Sequence, residues 1–208
     1  MNNKPTCKIC RRLGVKLFLK GERCLSPKCP MVKRPYPPGQ RGKRRPTPPS
    51  EYALLLKEKQ KLKNWYNLEE TQLRKYAKEI LKKRGQDMSE LLIQKLEKRL
   101  DNTVFRLGFG VSKKQARQLV SHGFFLVNGK PVRFPAFELK KGDTISVKPQ
   151  KQKREIFPNL KTKLKKYKTP SWLQLNLENL EGKVIGEPNL AEAAPPADIL
   201  SIIEFYSK

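Results

Sequence analysis

The 208-residue sequence predicts an α+β protein: an N-terminal zinc-bound arm and a helical bundle, with an inserted module of two helices and a small antiparallel sheet. Three observations carry that prediction. All four cysteines fall between residues 7 and 29, apolar residues recur every three or four positions across residues 50–100, and Asn128-Gly129 sits between short apolar runs in residues 125–147. Metal-ligand spacing, a 3.6-residue period and a hairpin turn signal are different physical statements, and they divide the chain into zones.

The arm comes first. Cys7-x2-Cys10, a gap of 13 residues, and Cys24-x4-Cys29 form two close pairs. Such pairs can set four thiolates at tetrahedral corners around one structural Zn²⁺. Lys8, Arg11, Arg12, Arg23 and Lys28 would offset the net negative charge of that group. Two disulfides or unmodified thiols are the alternatives, and the start Met-Asn-Asn-Lys-Pro-Thr-Cys, without an apolar stretch, disfavours the oxidising compartment that disulfides need. A catalytic zinc is disfavoured too, because the single histidine, His122, lies far away in sequence. Residues 34–46 follow, rich in Pro, Gly and Arg and without apolar periodicity. Such a stretch reads either as a flexible linker or as a segment that orders against phosphates through Arg41, Lys43, Arg44 and Arg45.

Ser50 then reads as an N-cap, followed by Tyr52, Leu55, Leu56 and Leu62 at helical spacing. Asn67-Leu68-Glu69-Glu70 reads as a capping box for a second helix with the stripe Leu73, Tyr76, Ala77, Ile80 and Leu81, closed by Gly85. A third helix is expected near Ser89, with Leu92, Ile93, Leu96 and Leu100 on one side. Trp65, Tyr66 and Tyr76 read as core rather than as stacking platforms. Asp101 to Gly108 is a short helix closed by glycine, and Ser112-Lys113-Lys114-Gln115 caps another that Gly123 ends. Phe125–Val127, a type I′ turn at Asn128-Gly129, a return strand from Lys130 and a third strand at Thr144–Val147 complete the module. Residues 148–168 are basic and weakly patterned, and apolar Ile199, Ile202, Ile203, Phe205 and Tyr206 should pack back on the helical body. The implied domains are 1–49, 50–98 completed by 175–208, and 99–174.

Charge then bounds the function. The formal net charge is +27, distributed as +13 over residues 1–50, +10 over 51–147, +8 over 148–168 and −4 over 169–208. Hydrophobic residues make up 37%, below the ~45–50% usual for globular chains. A polycation with a modest core calls for a polyanionic partner, and nucleic acid leads because no apolar run approaches the ~20 residues of a membrane-spanning helix. Phosphate-binding loops, zinc-protease motifs and nucleophile–base pairs are absent from the sequence, so no enzyme chemistry is expected. The candidate nucleic-acid contacts are Lys57, Lys61 and Arg74 on the bundle, and Arg99, Arg106, Lys113, Lys114 and Arg117 on the module. A merely solvated basic face is the competing reading of the helix at 113–121. An RNA-modifying enzyme or a zinc-dependent DNA-binding regulator are the rival functions.

Cys7-Lys-Ile-Cys10, Lys20-Gly-Glu-Arg-Cys24, Arg34-Pro-Tyr-Pro-Pro-Gly-Gln40, Arg99-Leu-Asp-Asn102, Gln115-Ala-Arg-Gln-Leu-Val-Ser-His122, Val127-Asn-Gly129 and Glu204-Phe-Tyr206 together resemble the family of bacterial small-subunit ribosomal protein four, in its cysteine-retaining, zinc-containing type. The resemblance runs in order along essentially the whole chain. It implies a cytoplasmic structural protein of the small ribosomal subunit that binds the small-subunit RNA at a multi-helix junction and helps to nucleate assembly. It also implies a place beside small-subunit proteins five and three, near the channel through which messenger RNA enters, with the contact to protein five supporting translational accuracy. Residues 99–160 resemble the RNA-binding domain named after this family.

Overall fold

The structure, a computed structural model, describes residues 6–40, 42, 48–83, 87–152, 160, 164 and 167–207. In chain order its helices are α1 (Thr6–Leu13), α2 (Pro30–Lys33), α3 (Glu51–Trp65), α4 (Glu70–Leu81), α5 (Met88–Glu97), α6 (Leu100–Arg106), α7 (Lys113–Ser121), α8 (Pro149–Gln152), α9 (Leu190–Ala193) and α10 (Ile199–Ser207), with a 3₁₀ turn at Gly21–Cys24. The strands are β1 (Phe125–Val127), β2 (Lys130–Pro131), β3 (Thr144–Val147), β4 (Leu173–Asn176) and β5 (Glu181–Val184). They divide into two units, residues up to Leu92 together with Ala194 onward, and Ile93–Ala193.

In the first unit, Cys10, Leu13 and Leu17 are buried with Ile9, Met31 and Trp65 against them. Arg11 ties down the segment that follows α2: its Nε donates to the carbonyls of Arg34 and Tyr36, each at 2.9 Å, and its guanidinium lies 5.1 Å from the Tyr36 ring. The part of the basic arm before Gln40 is therefore held by side-chain contacts, whereas the sequence alone reads it as a flexible linker or as a segment that orders only against phosphates. Ser50 caps α3 as expected, its Oγ accepting from the Ala53 N–H. Asn67 does not open α4. It sits at a positive φ of 52° and turns the chain, and Glu69 with Gln72 forms the capping box. The α4 stripe Leu73, Ala77 and Ile80 is buried, as the period predicts, while Tyr52 is 63% exposed. Gly85, expected to close α4, lies outside the described residues.

Helix α10 packs on α3 and α4, where the sequence expects the apolar C-terminus to return. Phe205 stands 5.7 Å from Tyr52, and the Asp198 N–H donates to Glu58 Oε2 at 3.0 Å. Lys59 is buried here, bonded to Glu70 Oε1 at 2.8 Å and 4.2 Å from the centre of the Phe205 ring. Tyr206 donates to the same Glu70 oxygen at 2.9 Å. Burial and the Glu70 carboxylate push the Tyr206 phenol well above its ordinary pKa, and the hydrogen bonds from Lys59 and Lys63 hold Glu70 below its own despite partial burial.

The second unit is built on an antiparallel sheet of order β2-β1-β3-β5-β4. Asn128 and Gly129 both take positive φ, 50° and 77°, as the type I′ turn between β1 and β2 requires. The β4–β5 hairpin corrects the expected domain boundary. Residues 175–193 belong with the module, because β5 pairs with β3 from Thr144↔Lys183 to Ser146↔Glu181 and extends the sheet. The basic, weakly patterned stretch before the hairpin hides the strands from a period-based reading. The core under the sheet joins Leu100, Val104, Leu107, Phe109, Phe125, Ile145, Leu173 and Val184, with Leu160 and Leu164 added from the basic segment. Among the described glycines of this unit Gly182 makes the closest approach: a Cβ there would lie 2.4 Å from Cδ1 of buried Leu107, the residue that caps α6, so a larger residue would force that side chain to shift.

Candidate nucleic-acid interface

Burial costs a charge unless it is paired, so the first question about each predicted contact is whether its charge reaches solvent. Around the start of α6 several do not. Arg99 is buried and its guanidinium is held by Asp101, Nε to Oδ1 at 3.1 Å and Nη2 to Oδ2 at 2.8 Å. Arg106 clasps buried Glu97 through Nε and Nη2, at 3.0 and 2.7 Å, and also donates to the Ala193 carbonyl. Asn102 donates to the same Glu97 carboxylate. Breaking a pair of this kind costs about 3–5 kcal/mol, so these are structural cations. Arg99 and Arg106, expected to face a polyanion, are turned inward because the two carboxylates they need lie in the same corner.

Lys113 is turned inward as well. Its stem is partly exposed, but its ammonium is buried 5.8 Å from the centre of the Phe105 ring. Burial lowers its pKa well below the ordinary value, and Arg106 lowers it further, while Glu97 and Asp101 pull the other way. Lys61 is mostly covered too, bonded to Glu58 at 2.5 Å.

What remains outward is a smaller set. Lys57 and Arg74 are exposed on α3 and α4. On α7, buried Ala116, Leu119 and Val120 fix the helix against the core, leaving Gln118 exposed and Lys114 half-buried on the outer side. Arg117 is shared: one nitrogen stands 3.5 Å from Asp101 Oδ2, and a quarter of the side chain stays exposed. Ser112 caps α7 by accepting from the Gln115 N–H. Of the arm contacts, Arg41, Lys43, Arg44 and Arg45 lie outside the described residues. The sequence reading passes over Lys75, Lys78 and Lys82, which with Arg74 line the exposed side of α4. Their spacing opposite the Leu73–Ala77–Ile80 stripe is the signal that could have found them.

The cysteines converge from three pieces of the first unit. Cys7 and Cys10 lie on α1, Cys24 closes the 3₁₀ turn, Cys29 caps α2, and all four line one pocket as free thiols. The Lys20 N–H points at Cys24 Sγ, 3.4 Å away. Burial, and then the three neighbouring thiols, push the Cys10 thiol up. The donor set is that of a closed zinc site. As placed, no group of three His, Cys, Asp or Glu side chains among the described residues is arranged to hold a metal ion.

Comparison with known proteins covers the chain from end to end. Residues 1–97 match the family profile described as Ribosomal protein S4/S9 N-terminal domain, and residues 98–145 match the S4 domain. The small ribosomal subunit protein uS4 of Thermus thermophilus is 47% identical over 204 residues, 98% of this chain and 97% of that protein. Protein uS4A of Clostridium novyi is 48% identical over the same shares, and uS4 of Thermotoga maritima is 42% identical over 205 residues, again 98% and 97%.

The buried ammonium of Lys113 has a pH signature. Between its lowered folded pKa and the ordinary lysine value of 10.5, the unfolded chain holds more protons than the folded one. Its contribution to stability therefore rises with pH across that window. Lys113→Met, which keeps the stem, should remove that slope. Urea unfolding from about pH 7 to about pH 10 is expected to show a shallower rise in the variant than in the parent chain, and an identical pH dependence would contradict the burial.

Proposed function

The chain belongs to the uS4 family of small ribosomal subunit proteins, and from that premise we propose that it is a structural constituent of the cytoplasmic small ribosomal subunit that binds the subunit's RNA directly. The observation that carries this is the end-to-end likeness to uS4 proteins, joined to a helix α7 whose buried side is apolar and whose outer side is cationic. Its action on RNA is physical, not catalytic. Each phosphate met by Lys57, Arg74, Lys114 or Arg117 releases condensed counterions, which supplies affinity. Specificity comes from the shape of a folded junction, because the deep groove of A-form RNA hides its bases from side chains.

On this reading the chain binds a multi-helix junction of the small-subunit RNA early in assembly. It then stands beside small-subunit proteins five and three near the path of incoming messenger RNA, where contact with protein five supports accuracy. The acidic end is the natural candidate for that contact, but several of its carboxylates have internal duties. Glu187 pairs with Lys98, Glu192 accepts from the Ser171 N–H, and Asp198 accepts from Leu200 and Ser201.

We further propose that Cys7, Cys10, Cys24 and Cys29 hold one structural Zn²⁺. Four thiols brought to one pocket by two short helices and a 3₁₀ turn support this, as does a local core of few apolar residues that a metal cross-link would strengthen. Held by the four thiolates, such an ion would neutralise their charge and cross-link α1, the 3₁₀ turn and α2.

Two measurements test these readings. With Lys114 and Arg117 both changed to Ala, the slope of log K against log salt for small-subunit RNA should flatten by up to ~0.9 for each phosphate that is no longer neutralised; an unaltered slope would mean the α7 face is only solvated. For the metal, Cys7→Ser combined with Cys10→Ser should remove about one zinc per chain by atomic absorption and expose residues 6–40 to protease. Unchanged metal content would remove the zinc proposal.

A further inference from the structure

We propose that Phe134 and Phe137, on the loop between β2 and β3, form a stacking platform for unpaired nucleotides. This rests on the RNA-binding reading above and adds to it a contact that phosphate attraction cannot supply. Phe134 is 76% exposed and Phe137 39%, both in the second unit. Solvent-facing phenylalanines are common on mobile loops, but this loop is fixed.

The Phe137 N–H closes a turn onto the Phe134 carbonyl at 3.1 Å. The carbonyls of Pro135 and Phe137 then accept from Asp101 and Leu100, at 3.1 and 2.8 Å, and these are the first N–H groups of α6, which lack partners within their own helix. Beyond the turn, the Leu139 N–H bonds to the Lys98 carbonyl at 2.9 Å, and the Leu139 side chain is buried. The loop thus shares its anchor with the ionic corner of Arg99 and Asp101, and it holds an aromatic ring in water with little entropy left to lose on binding.

Charge identifies the occupant. Residues 130–141 carry Lys130, Arg133, Lys140 and Lys141 against Glu138 alone, and all four cations are exposed. Arg133 occupies the space left by the absent side chain of Gly123, its Nε 3.1 Å from where a Cβ would stand. Phe134 is therefore the neighbour in sequence of a cation that lies against the end of α7. Two exposed rings on a loop whose exposed charges are four cations against one carboxylate suit a strand whose backbone is anionic and whose bases have open faces. Paired bases are stacked on each other and cannot use a ring, so the site takes nucleotides outside helices.

The test uses the full chain and in-vitro-transcribed small-subunit RNA. Phe134→Ala should weaken binding roughly 5- to 160-fold, the range for loss of one stacked base, and leave the salt slope unchanged. Its urea midpoint should match the parent's, since the ring is exposed. Phe134→Trp should keep the affinity, and its added emission should be quenched at RNA saturation. Parental affinity in Phe134→Ala together with unquenched emission in Phe134→Trp would overturn the platform while leaving the phosphate-binding reading intact. So would normal binding to naked RNA with loss of incorporation only into protein-containing particles, which would make the loop a protein contact. Failure of the parent chain itself to bind the RNA would overturn the broader reading.

Discussion

Asp101 sits buried beside Arg99 and within reach of Arg117, and the arrangement around it decides which way the module's positive charge faces. Asp101 and Glu97 gather Arg99, Arg106 and the Lys113 ammonium into one corner at the start of α6. Had Arg99 and Arg106 stayed in solvent, the buried carboxylates of Asp101 and Glu97 would lose the charge-assisted bonds that tie α6 to the end of α5. Had the carboxylates been absent, the buried cations would make the corner unstable. Because two of these cations are bidentate arginines, the corner is also geometrically specific. That specificity reaches the surface through two routes: Arg117 on α7, and the first N–H groups of α6, which hold the loop bearing Phe134.

Function then follows from sorting. A chain of net charge +27 has more cations than one RNA face needs, and the structure uses some of them as internal ties. Lys59 does in the first unit what Arg99 does in the second. It is buried against Glu70 and the ring of Phe205, and it locks α10 to α3. On the proposed reading, the outward remainder on α3, α4 and α7 would supply long-range attraction, and the loop bearing Phe134 would add a short-range contact that salt does not screen.

Much of this was legible in the residues. Apolar period placed α3, α4, α7 and their buried stripes, Asn128-Gly129 placed the hairpin, and the returning C-terminus was marked by its isoleucines and aromatics. The β4–β5 hairpin was not legible, since Leu173-Gln-Leu-Asn176 and Glu181-Gly-Lys-Val184 are short and follow a polycationic stretch, so only pairing with β3 defines them. The direction of each cation was also hidden. Arg99 and Lys114 look alike in sequence, and what separates them is the burial of Arg99 against the Asp101 carboxylate while Lys114 stays half-buried on the outer side of α7. In the same way, spacing identifies the cysteine quartet but not its ligand geometry.

Amine labelling tests the sorting of charge most directly. The full chain would be treated with a lysine-reactive reagent, alone and bound to small-subunit RNA, and read residue by residue by mass spectrometry. The account predicts that Lys57 and Lys114 react in the free chain and are shielded by RNA, while Lys59 and Lys113 stay unreactive in both states. Labelling of Lys113 as fast as Lys57 in the free chain, or no shielding of Lys114 by RNA, would contradict it.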